Sequence, residues 1–81
     1  MEVTIAPNPI TFGANAGITL SNATFFQGTL NLYTMGGTMV LTQNAVAGLN
    51  VVATAGLQPG IYLLEFDTDA GKVTAQLVVQ S

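Results

Sequence analysis

The chain has no cysteine, no histidine and no tryptophan, and its 81 residues include one basic side chain, Lys72. Without cysteine or histidine there is no disulfide framework and none of the usual zinc ligands, the staples small domains use to reinforce a thin core. The core here is thin, since a chain of this length buries only roughly 60–65% of the surface its unfolded form exposes. The lack of histidine also leaves Ser21 and Ser81 without a base to activate them, which excludes nucleophilic triads.

Charge is scarcer still. Only Glu2, Glu65, Asp67, Asp69 and Lys72 carry it, about a quarter of the fraction typical of soluble domains. A net charge of −3 with a single cation offers no electrostatic footprint for the phosphates of nucleic acid or for anionic lipid, and neither is expected as a partner. No apolar run approaches the ~18 residues of a membrane-spanning helix. The opening "MEVTIAPNP" lacks the basic and apolar regions of a signal peptide, so an export signal, if used, is removed or lies elsewhere.

What the chain does have is alternation. β-Branched and aromatic residues recur at period two between Gly, Asn and Pro clusters, which predicts strands. Seven are expected: Val3 to Ala6, Gly17 to Asn22, Gly28 to Met35, Thr38 to Gln43, Leu49 to Ala53, Ile61 to Asp67, and a last one from Lys72 to Gln80. "PNP" stops the first, because Pro7 and Pro9 remove two ladder donors. "MGGT" supplies a hairpin between the third and fourth, and "DTDAGK" another before the seventh. Phe25 and Phe26 either extend a strand or plug one end of the core. Seven short antiparallel strands in a single domain over residues 1–81 fit an immunoglobulin-like β-sandwich, with a small barrel as the alternative.

Catalysis finds little to work with. Glu65 and Asp67 share a strand face, but following Ile61 and Leu63 they read as the wet end of a strand rather than an acid–base pair. "DTDAGK" has the Asp spacing that opens a calcium loop, yet "VTAQL" supplies no bidentate Glu, so a hairpin turn is the favoured reading. The glycines of "MGGT" and "GANAG" lack the Lys and helix start of a phosphate loop. "NAT" at Asn22 matches a glycosylation acceptor, a pattern frequent by chance. No metal, cofactor or small-molecule substrate is expected.

"GLQPGIY" is more specific. In immunoglobulin-like sandwiches a Tyr at the start of the sixth strand turns its hydroxyl back to main chain upstream. Here Leu57 would plug the core, Pro59 and Gly60 make the turn, and Tyr62 close the corner.

"PNP" after a short strand, "LNLYTMGGTMV" mid-chain and "GLQPGIYLLEFDTDAGKVTAQLVV" near the end stand in an order that resembles the C-terminal sorting domains of the type IX secretion system of Bacteroidota. The resemblance runs from about Val3 to Val79, and the tail motif is its most specific part. It implies a non-enzymatic signal module, recognised as a folded unit by the outer-membrane translocon and its shuttle proteins, and a secreted or cell-surface location reached through the periplasm. In many members the domain is then cleaved. The matching positions are Pro7, Asn8, Pro9, Leu57, Pro59, Gly60, Tyr62, Gly71, Lys72, Leu77, Val78 and Val79. Residues from Lys72 onward are the ones expected to contact the machinery. The sequence departs from the family in having Lys72 as its single cation and in finishing "VVQS". Because Met1 stands only two residues before the first strand and the cargo the family would lead one to expect is not seen, the chain is expected to be either an excised domain or a sandwich that has become a protein in its own right.

Two other readings use the same fold. "TMVLTQ", "NVVATA" and "TAQLVVQ" have no charged guard against edge pairing, which suits a self-assembling subunit of an extracellular fibre or sheath, a homo-oligomer or filament. A fibronectin-type spacer also uses a Leu-x-Pro-Gly turn before Tyr, but the missing Trp and the early "PNP" count against it.

Overall fold

The computed structural model describes residues 1–6 and 9–81, so Pro7 and Asn8 lie outside the described residues. The strands are β1 (Glu2–Ala6), β2 (Ile10–Thr11), β3 (Asn15–Ser21), β4 (Gly28–Thr34), β5 (Met39–Asn44), β6 (Gly48–Ala53), β7 (Gly60–Thr68) and β8 (Gly71–Gln80). They form a three-stranded sheet in the order β1-β3-β6 and a five-stranded sheet in the order β2-β8-β7-β4-β5.

Among the described residues, eight strands replace the seven expected. The addition is β2, whose pairs Ile10↔Val79 and Thr11↔Gln80 are parallel, so the larger sheet is not wholly antiparallel. Two residues are too few for a period-two pattern to show, and Pro9 immediately before them masks the signal further. The other strands fall where alternation put them, with ends shifted by a residue or two. β3 stops at Ser21 rather than Asn22 because Asn22 adopts φ 53°, a left-handed conformation that asparagine tolerates and a ladder does not. Gly37, at φ 95°, turns the β4–β5 hairpin as "MGGT" predicts.

Alternation is visible in the burial. On β7, Tyr62, Leu64, Phe66 and Thr68 are buried, while Ile61 and Leu63, which alternate with them, are exposed. Tyr62, Leu64 and Phe66 join Leu30 and Leu32 of β4, Leu77 and Val79 of β8, and Ile18, Leu20 and Val52 of the smaller sheet in one apolar cluster. Both sheets therefore contribute to the same core, at about 1.5–3 kcal/mol for each fully buried large aliphatic or aromatic side chain. Of the phenylalanine pair, Phe25 packs against this cluster and Phe26 is 98% exposed, so one plugs and neither extends a strand. A close approach fixes their position: a Cβ on Gly28 would stand 2.8 Å from Thr68 Cγ2 and 3.1 Å from Phe25 Cε2.

Candidate recognition surface

The segment Gly56–Tyr62 crosses from the smaller sheet to β7. Its hydrogen-bonded turn lies earlier than Pro59 and Gly60, at Ala55 and Gly56, where the Leu57 N–H donates to the Thr54 carbonyl at 2.9 Å. Leu57 is buried in the core, as expected of a plug. Gly60 opens β7 at φ 156°, extended beyond the range L side chains favour. The Tyr62 hydroxyl then donates to the Gln58 carbonyl at 2.6 Å and ties the corner to the strand that leaves it.

Register brings this corner onto the last strand. Gly60 pairs with Val79, Ile61 with Val78 and Tyr62 with Leu77. Because Ile10 pairs with Val79 on the other side, residues of β2, β8 and β7 stand in one row, with Pro9 just outside it. Pro9, Pro59, Gly60, Tyr62, Leu77, Val78 and Val79 are thus gathered at one end of the larger sheet. Gly71 and Lys72 are not among them: they sit at the far end of the β7–β8 hairpin, seven residues or roughly 24 Å along the strand. Leu77 and Val79 point into the core, whereas Lys72, Thr74 and Gln76 are exposed.

The hairpin itself is a turn closed by side chains. Thr68 Oγ1 donates to the Gly71 carbonyl at 2.9 Å and accepts from the Ala70 N–H at 3.1 Å. Both Asp69 carboxylate oxygens accept from the Phe26 N–H, at 3.1 and 3.2 Å, so Asp69 tethers the 22–27 segment. The turn reading of "DTDAGK" holds, and its second aspartate is a main-chain tether.

The outer face of the larger sheet carries a polar ladder that alternation alone did not reveal. Thr42 Oγ1 donates to Asn31 Oδ1 at 2.7 Å, Asn31 Nδ2 donates to Glu65 Oε1 at 3.2 Å, and the Tyr33 hydroxyl reaches the same oxygen at 3.4 Å. Burial and the neighbouring Glu65 carboxylate raise the Tyr33 phenol above its ordinary 10.0. Asn31, flanked by Leu30 and Leu32 in "TLNLY", is buried although it faces outward. A polar residue between two core leucines was the available signal. Tyr33, Glu65, Leu63 and Met35 line an open depression of about 310 Å³ beside the ladder.

Residues 4–80 match the family model of the secretion system C-terminal sorting domain. The chain belongs to this family. No curated protein matches it. As a type IX secretion sorting tail, the domain marks proteins exported through the outer membrane to the cell surface or beyond, and that role implies contact with the secretion machinery. The sorting-domain match spans both sheets, from β1 to the end of β8.

Proposed function

We propose that residues 1–81 form a single non-catalytic domain, an immunoglobulin-like β-sandwich, which the outer-membrane translocon and its shuttle proteins recognise as a folded unit. The observation that carries this reading is the family match over residues 4–80: it leaves out no strand but part of β1, so the signal and the fold are nearly coextensive. A core fed by both sheets supports the sandwich. Recognition is assigned to β8 from Lys72 onward. Among the described residues β2 pairs with β8 only at Val79 and Gln80, so the strand from Lys72 to Leu77 runs along a sheet margin with Lys72, Thr74 and Gln76 exposed. Pro9, Pro59, Gly60 and Tyr62 act indirectly, by holding the other end of that strand in register, while Pro7 and Asn8 complete the sorting motif outside the described residues.

The test fuses Glu2–Ser81 behind a periplasmic reporter in a type IX-competent host. Reporter at the cell surface is expected, with export reduced by Lys72→Glu in a fusion that stays folded. Folded reporter retained in the periplasm would falsify the sorting role, and export unaffected by changes at Lys72, Thr74 and Gln76 would move recognition off β8.

A second reading, a self-associating subunit on the same fold, is favoured by one observation: β6 forms a sheet edge with no charged residue.

A further inference from the structure

β6 has one strand neighbour, β3, and its other side is an edge of the three-stranded sheet. The Val51 carbonyl accepts a hydrogen bond from Gln43 Nε2, at 3.2 Å, and Gln43 belongs to the other sheet. The Val51 main chain therefore faces away from β3, and by the period of a strand so do Leu49 and Ala53. Among the described residues, a side chain caps the main chain of Val51 and of neither Leu49 nor Ala53.

Edges are usually guarded by charge, proline, a bulge or brevity. Among the described residues the other edges each have a guard. β1 carries Glu2, β2 is two residues long, the stretch of β8 that β2 leaves uncovered carries Lys72, and β5 faces β4 across a register shift between Leu32 and Tyr33. β6 has neither charge nor proline, and its register with β3 runs unshifted from Asn15↔Ala53 to Leu20↔Gly48. Its outer face shows Leu49 at 62% and Val51 at 55% exposure.

We infer that β6 pairs antiparallel with β6 of a second copy of this chain, centred on Val51, to form a continuous six-stranded sheet. The sequence is self-complementary in that register. Val51 faces the partner's Val51, and Leu49 faces the partner's Ala53, large against small on the exposed face. All three outward residues fall in hydrogen-bonded positions, giving six main-chain bonds once Gln43 swings off the Val51 carbonyl. Charge placement favours a second copy on this side. Glu2, Glu65, Asp67, Asp69 and Lys72 lie on β1, β7 and the β7–β8 hairpin, and none lies on β3 or β6. Two molecules of net charge −3 thus meet through neutral strands, whereas approach by the outer face of the larger sheet would oppose their carboxylates. A six-residue strand pair buries far less than the roughly 1,600 Å² of a standard interface, so the association is weak and appears at high concentration. A two-fold pairing of one edge with itself closes, and the product is a dimer rather than a fibre. This inference stands on the fold and does not depend on the sorting role.

Sedimentation velocity of the purified chain from micromolar to millimolar concentration tests it. A monomer–dimer equilibrium is expected, weakened at least tenfold by Val51→Lys, whose exposed position leaves thermal unfolding nearly unchanged. Because the chain has no cysteine, Val51→Cys introduces a sole thiol. Hydrogen-bonded antiparallel pairs hold Cα atoms about 5.5 Å apart, inside the range of about 4.4–6.8 Å that a disulfide spans. Val51→Cys should therefore cross-link in mild oxidant, and Leu49→Cys, displaced roughly 13 Å from its own copy, should not. A monomer at every concentration, a dimer indifferent to Val51→Lys, or equal cross-linking of the two cysteine variants would each overturn the pairing. Export of a Val51→Lys reporter fusion is expected to be unchanged, which separates a failure here from a failure of the sorting role.

Discussion

Asn50 and Val46 exchange two hydrogen bonds: the Val46 N–H donates to Asn50 Oδ1 at 2.9 Å, and Asn50 Nδ2 donates back to the Val46 carbonyl at 3.0 Å. The same Nδ2 lies 3.2 Å from the Gly48 carbonyl and 3.3 Å from that of Ile18. One buried amide thus holds the β5–β6 connection to β3. Asn50→Ala leaves the Val46 main chain without this partner and should cost about 2 kcal/mol, at the usual cost of a buried polar group left unpaired. Urea denaturation should show a lowered midpoint with an unchanged slope.

Tyr62 contributes through both its ring and its hydroxyl. Tyr62→Phe keeps the packed ring and removes the donor to the Gln58 carbonyl, for an expected loss of about 1 kcal/mol. Phe66→Ala, which empties a fully buried site on the same face of β7, should cost about 3–5 kcal/mol. Chemical denaturation of the two variants side by side distinguishes a corner tie from a core residue.

Gly28 is required by space. Gly28→Ala places a methyl 2.8 Å from Thr68 Cγ2 and should destabilise by about 1–3 kcal/mol, the usual range for overpacking. Thr68→Ser removes that methyl and keeps the hydroxyl that closes the turn. In a double-mutant cycle, Thr68→Ser should recover part of the Gly28→Ala loss, a favourable coupling that two independent sites would not show.

Tyr33 titrates above its ordinary 10.0 because burial and the Glu65 carboxylate both disfavour the phenolate. A raised folded-state value means that the folded protein holds the proton more tightly than the unfolded chain. The resulting stability is fully present below pH 10.0 and is lost as the pH rises through the folded-state value. Glu65→Gln should move the Tyr33 transition downward, toward the ordinary value. Absorbance of tyrosinate against pH, or the chemical shift of Tyr33, measures it.

Much of the fold was legible because its physics is local. Alternation in "IYLLEFD" and "KVTAQLVVQ" fixes which face of β7 and β8 is buried, and "GLQPGIY" names its own corner. Features that depend on distant partners were not legible. β2 is two residues long and exists only because Val79 lies beside Ile10. Asn31 and Asn50 read as ordinary polar residues until Thr42, Glu65 and Val46 arrive from elsewhere to satisfy them. The site residues divide in the same way. Sequence order grouped Gly71 and Lys72 with Leu77, Val78 and Val79, whereas the hairpin register sets the two groups at opposite ends of one strand.

The position of β8 between β2 and β7 has a consequence in time. A growing chain makes this strand after every other one, yet its C-terminal end lies between two neighbours, with Ile10 and Gly60 both waiting for Val79. Until β8 is made, β7 lacks one of its two neighbours and β2 has nothing to pair with. The larger sheet is completed only with the last strand of the domain, so a truncation before β8 removes two strand pairings at once.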